Sequence, residues 1–200
     1  MKSGFVMGIT APQDEGQTPL DPDEARGLLP TWIATRADLN VAEEENIAAG
    51  IAWGGRAIRR QPVLTQEFLR LLHRQMFGHV WEWAGKYRNS ERNIGVPPHS
   101  ISTEIKNLLE DAIAWDEHHT YPMDERAVRL HHRLTFVHPF PNGNGRCSRV
   151  IADLYLDQRG ATQFSWGAGL PGDTQRRAYL DAIRAADAQD YRPLLEFVRG

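Results

Sequence analysis

Two helical stripes joined by a glycine-rich turn constrain this chain more than any other feature. Ala127, Leu130, Leu134 and Val137 repeat at helical spacing and run without a break into His138. After Asn142-Gly143-Asn144-Gly145 a second stripe begins, carrying Cys147, Val150, Ile151 and Leu154. The intervening run tolerates left-handed backbone angles and close approach by a ligand. Successive N–H groups in such a turn converge on an anion most readily where the turn opens a helix. Arg146 and Arg149 lie one turn apart on another face of that helix, so both guanidiniums can chelate phosphate oxygens beside the turn. His138 supplies an imidazole able to act as a base near neutral pH. Imidazole, anion cradle and two arginines together suit the handling of a phosphate ester. G-N-G is too short for a dinucleotide fingerprint, and the chain has no G-x-x-x-x-G-K-[ST] phosphate loop.

Two hundred residues, 41% hydrophobic and 24% charged, are enough for one domain with a sizeable core. A net charge of -3 gives no support to a nucleic-acid or membrane-surface binder, so neither is expected as a partner. The single cysteine, Cys147, excludes an intrachain disulfide and sits on an apolar stripe, which fits a core residue in a reducing cytoplasm. No apolar run is long enough to cross a bilayer, and the N-terminus lacks a basic segment followed by an apolar one.

Residues 1–34, rich in Gly, Pro, Gln and Asp, are expected to be an extended arm, with one domain over 35–200. Thr35 and Asp38 form a capping box, and the helix it opens should end at Gly54-Gly55. The run Glu43-Glu44-Glu45 in it reads as a solvated face. Leu64-Thr65 opens a second helix with Phe68, Leu69, Leu72 and Met76, closing near Gly78. Trp81 and Trp83 read as core anchors. The polar run Lys86–Pro98, with Tyr87, Ile94 and Val96, predicts a short hairpin. A third helix starts at Ser100 or Ser102 and a fourth at Asp124. The stripe after the glycine turn is the next, Asp173 caps another, and Asp190 opens a last short one. Six to seven helices around one small hairpin make the fold all-α. His118-His119 and His131-His132 are not expected to hold a metal, because neighbours on a helix point about 100° apart.

The stretch His138–Arg149 resembles the Fic family signature H-x-F-x-[D/E]-G-N-G-R-x-x-R, which this chain matches except at Asn142. Trp81-Glu82-Trp83-Ala84-Gly85-Lys86-Tyr87-Arg88 resembles the lead into the flap, the hairpin that holds the target protein in that family. Thr35–Asn40 and Glu45-Asn46-Ile47 are similar to the mobile mystery protein B subgroup. The resemblance implies a Fic-type helical domain that transfers AMP from ATP to a Ser, Thr or Tyr hydroxyl of a target protein. His138 would be the general base. Gly143, Asn144, Gly145, Arg146 and Arg149 would bind the phosphates, and Phe140 would anchor the loop. A target docked on Lys86–Pro98 would be recruited by strand addition.

Asn142 replaces an Asp or Glu that holds Mg²⁺ in the family. The loss of charge should weaken metal binding without abolishing it. The inhibitory pattern [S/T]-x-x-x-E-[G/N] of many relatives has no clean copy here; Glu45-Asn46 reproduces only its end. Inhibition is therefore absent, or supplied by a degenerate helix, or supplied by an antitoxin-like partner, as in toxin–antitoxin pairs. Two rival readings remain: a Doc-type phosphotransferase using the γ-phosphate, and a non-catalytic nucleotide-binding regulator.

Overall fold

Helix α1, Arg36–Ala57, starts where the capping box requires: Thr35 Oγ1 accepts from Asp38 N–H at 3.1 Å, and Asp38 Oδ2 accepts from Thr35 N–H at 2.8 Å. The computed structural model describes residues 25–200 of the chain. Most of the expected arm 1–34 lies outside the described residues. Helix α2, Gln66–Phe77, is capped by Thr65, whose hydroxyl accepts from Phe68 N–H. A 3₁₀ turn over Pro98–Ser100 leads into α3, Ile101–Glu117. Then follow α4, Met123–Val137; α5, Asn144–Gln158; α6, Gly172–Asp187; and α7, Arg192–Arg199. The fold is all-α among the described residues. No helix among them is long and apolar enough to cross a membrane.

Two expectations fail for reasons that only packing supplies. Helix α1 does not stop at Gly54-Gly55 but runs through both. A Cβ on Gly54 would meet a Leu154 methyl at 2.7 Å, and one on Gly50 would meet the Met76 backbone at 2.7 Å. These glycines let α1 close on α5 and α2, and an unbroken helix is what brings them there. The expected hairpin over 86–98 is also not formed: the described residues contain only an isolated bridge, Leu28 to Trp81. The Arg88 guanidinium takes the carbonyls of Ser90 and Val96, and Val96 N–H goes to Val137 O at 3.3 Å. Polar groups a ladder would use are thus spent on a side chain and on the end of α4.

α1 packs on α2, α3 on α4, α4 on α5, and α6 on α7. The core between them holds the Trp81, Phe68, Phe77, Phe140 and Tyr155 side chains, and Cys147 is buried in it as expected. The face that matters for the site is where the C-terminus of α4 and the N-terminus of α5 meet α1 and α6.

Candidate functional site

His138 closes α4 in the left-handed region (φ 53°, ψ 58°), its N–H bonded to Leu134 O at 3.1 Å. An L-residue pays for that conformation, so surrounding bonds must hold it. The turn directs the next residues back across the helix end and leaves the imidazole 6% exposed. Burial first, then the Arg88 charge, push its pKa down to about 4, with Arg92 adding to the effect and a bond to the Thr135 carbonyl opposing it. The ring is therefore neutral at pH 7, as a proton acceptor must be.

The loop that follows is fixed from two sides. Asn144, the first residue of α5, spends both amide atoms on Phe140: Oδ1 accepts from Phe140 N–H and Nδ2 donates to Phe140 O, each at 2.8 Å. Its expected side-chain role towards phosphate thus becomes a structural one, leaving only its backbone N–H for an anion. From below, the fully buried His73 donates from Nε2 to Asn142 O at 3.0 Å. Its Nδ1 must be the acceptor there, because Gly85 N–H donates to it at 3.0 Å. Burial holds this ring neutral, with a pKa near 3. It stacks on Phe140 with centroids 3.7 Å apart, so the anchor expected at Phe140 is present. Nothing in the sequence marks His73, because it lies among the apolar stripe of α2 and carries no motif.

Gly143 caps α5 at φ 77°, and a Cβ there would meet the Phe77 ring at 2.5 Å. Its N–H is used locally, donating to Asn142 Oδ1 at 2.5 Å. An anion cradle here would accordingly lie one residue on, at the first-turn N–H groups of Asn144, Gly145 and Arg146, which no helix bond can satisfy. A Cβ on Gly145 would meet nothing within 4 Å, so the cradle opens into free space.

That space is a cavity of about 570 Å³ lined by His138, Asn142–Arg146 and Arg149, with Glu43 of α1 and Tyr179 of α6 on its walls. The structure brings together every expected site residue. Arg149 lies over the Tyr179 ring, 4.2 Å from its centroid, and Tyr179 Oη is 3.1 Å from His131 Nε2. Arg146 lies over Phe77 and is engaged by Glu43 at 2.7 Å. Glu43 is therefore not part of a solvated face: its other oxygen accepts from Trp81 Nε1 at 2.8 Å, while Glu44 and Glu45 are exposed. Asn46 bonds Gln75 O and His79 N–H, tying α1 to the end of α2. His131 and His132 diverge, one to Tyr179 and the other to Asp187, and no group of metal-ligating side chains occurs among the described residues.

Residues 63–156 match the Fic/DOC family model. The chain is 27% identical over 184 residues to protein adenylyltransferase Fic of Aedes aegypti, covering 88% of this chain and 36% of that protein. It is 30% identical over 131 residues to protein adenylyltransferase fic-1 of Caenorhabditis briggsae, covering 64% and 25%. The chain thus spans about a third or less of these relatives. Among solved structures, a Fic domain containing signaling protein from Bacteroides thetaiotaomicron superposes with a TM-score of 0.67 at 19% identity, covering 97% of this chain and 82% of that one. BepC of Bartonella tribocorum with bound AMPPNP superposes at 0.63 and 18% identity, covering 88% and 95%. At these identities the likeness is one of fold.

Proposed function

For this chain, whose residues 63–156 match the Fic/DOC family model, we propose the protein adenylyltransferase activity named in its relatives, in the form of transfer of AMP from ATP to a Ser, Thr or Tyr hydroxyl. The observation that carries this reading is a neutral imidazole, His138, lining the same cavity as an open helix N-terminus and two arginines. The hydroxyl oxygen attacks the α-phosphorus, the α–β phosphoanhydride bond breaks, and pyrophosphate leaves. The hydroxyl proton passes to His138, which a base in this position makes about 10²–10⁴-fold faster. First-turn N–H groups of α5 meet the charge that develops on the α-phosphoryl oxygens. Arg146 and Arg149 hold the outer phosphates and keep the leaving group in line. Negative phosphates beside the ring favour its protonated form, raising its proton affinity once ATP is bound.

The residues present do not make a site for Mg²⁺. Asn142 Oδ1 already accepts from Gly143 N–H and, at 3.4 Å, from Arg146, and the one nearby carboxylate, Glu43, is paired. No step here uses the metal. Arrival of the outer phosphates would require Arg146 to leave Glu43, so the chain restrains its own arginine without the glutamate of an antitoxin-like partner. A target protein would dock on the exposed stretch of Lys86–Pro98 around Ile94, which reaches the cavity wall. The buried thiol of Cys147 suits a reducing compartment such as the cytoplasm.

The test is incubation of wild type and His138→Ala with ATP labelled on the α- or the γ-phosphate, in the presence of cell lysate. Transfer of α-label that vanishes in the variant is expected. Transfer of γ-label alone would instead establish phosphotransfer, and label unaffected by the substitution would remove His138 from the chemistry.

A further inference from the structure

We propose that Arg88 is a positioning residue for His138, a single guanidinium that locks the base-bearing loop to the segment on which the target docks. The proposal rests on the adenylyl-transfer reading of the cavity and extends it to a residue outside the signature stretch. Arg88 is 3% exposed, and its donors fan out to three different carbonyls. Nε donates to His138 O at 2.7 Å, Nη1 to Ser90 O at 2.9 Å, and Nη2 to Val96 O. Its own backbone N–H donates to Pro139 O at 2.9 Å. Two of these four bonds therefore hold residues 138–139, and two hold the ends of the 90–96 segment.

Contact between the two pieces is direct. Gly95 sits at φ 89°, and a Cβ there would lie 2.7 Å from His138 Cβ, 2.8 Å from Arg88 Nη2 and 3.0 Å from Val137 O. Only a glycine lets the segment close on the base in this way. His138 is held left-handed at a site where an L-residue is disfavoured, and bonds from outside α4 must fix that geometry. Arg88 supplies the bond to its carbonyl. Lysine could not, since a single ammonium cannot present three coplanar donors to three separated acceptors. The same charge also faces the imidazole and, with Arg92, depresses its basicity; Arg146, Arg149 and Glu43 line the far side of the cavity.

Arg88→Lys and Arg88→Met separate position from charge. Three quantities are read for each folded variant: kcat for AMP transfer, ATP affinity by calorimetry, and the His138 ring titration by NMR, assigned through His138→Asn. Both substitutions should lower kcat by about 100-fold, the cost of a small displacement of a reacting group. ATP affinity should hold, because His73 and Asn144 fix the phosphate cradle independently. The ring should titrate at higher pH in Arg88→Met and stay low in Arg88→Lys. Faster amide exchange at Val96 should accompany both. Should Arg88→Met not fold, Arg88→Lys alone decides positioning. Wild-type kcat in folded Arg88→Lys overturns the proposal, as does a fall in thermal stability with kcat per folded molecule and amide exchange unchanged. Because ring titration, exchange and ATP binding need no turnover, a wild type that transfers no AMP would sink the parent reading and leave these readouts to judge Arg88.

Discussion

Glu43 and Arg146, 103 residues apart in sequence, meet at 2.7 Å across the cavity mouth, with the carboxylate 12% and the guanidinium 39% exposed. The pair joins α1 to the first turn of α5 and occupies an arginine that the proposed reaction assigns to an outer phosphate. Glu43 is itself held by Trp81 Nε1, which limits how far it can swing away.

Glu43→Gln should therefore strengthen ATP binding. The amide keeps an oxygen for Trp81 but loses the charge that competes with phosphate. At this exposure the gain is about twofold to fivefold in ATP affinity, the worth of a partly solvated pair. Calorimetric titration with ATP and with AMP checks it: AMP affinity should not change, because AMP lacks the phosphates Arg146 would hold.

Asn142→Asp should make transfer respond to Mg²⁺. A carboxylate there presents an anionic oxygen beside the phosphate cradle, the ligand type Mg²⁺ prefers. Rates measured across a Mg²⁺ series should climb with metal in the variant and stay flat in wild type, whose residues make no site for the ion. Equal curves would show that the charge at this position is irrelevant.

Acid should disable folding before it disables the free base. His73 and His131 are held near pKa 3 and His138 near 4, all chiefly by burial. Each ring takes up a proton in the unfolded chain near pH 6.5 but not in the folded one. Stability is thus complete above about 6.5 and falls as pH drops towards 4, by up to about 1.4 kcal/mol per pH unit per ring. Tm should decline steadily below 6.5, while kcat/KM stays flat through 6.5 instead of halving there. A constant Tm between 6.5 and 5 would contradict the burial of these rings.

Gly50→Ala and Gly55→Ala should act in opposite directions, although both lie within α1. A Cβ at Gly50 strikes the Met76 backbone, and such overpacking costs about 1–3 kcal/mol. A Cβ at Gly55 meets nothing within 4 Å, so alanine there should add about 0.5–1 kcal/mol by helix propensity. Denaturant melts of the two variants against wild type decide it.

Sequence by itself determined the helices with local signals and the identity of the groups at the site. The Thr35 and Thr65 caps, the stripes of α2, α4 and α5, and the order imidazole, glycine turn, two arginines all depend on neighbours a few residues apart. Such interactions are written in spacing. Tertiary structure alone decided what those groups do to one another. That Gly54 continues a helix, that Arg88 replaces a hairpin ladder, that His73 props the loop, that Asn144 turns inward and that Glu43 reaches Arg146 each depend on a partner from another element. A carboxylate in an acidic run and an imidazole in an apolar stripe look ordinary in one dimension. Only the packing of α1, α2 and α5 brings their partners within bonding distance, and burial then sets their charge.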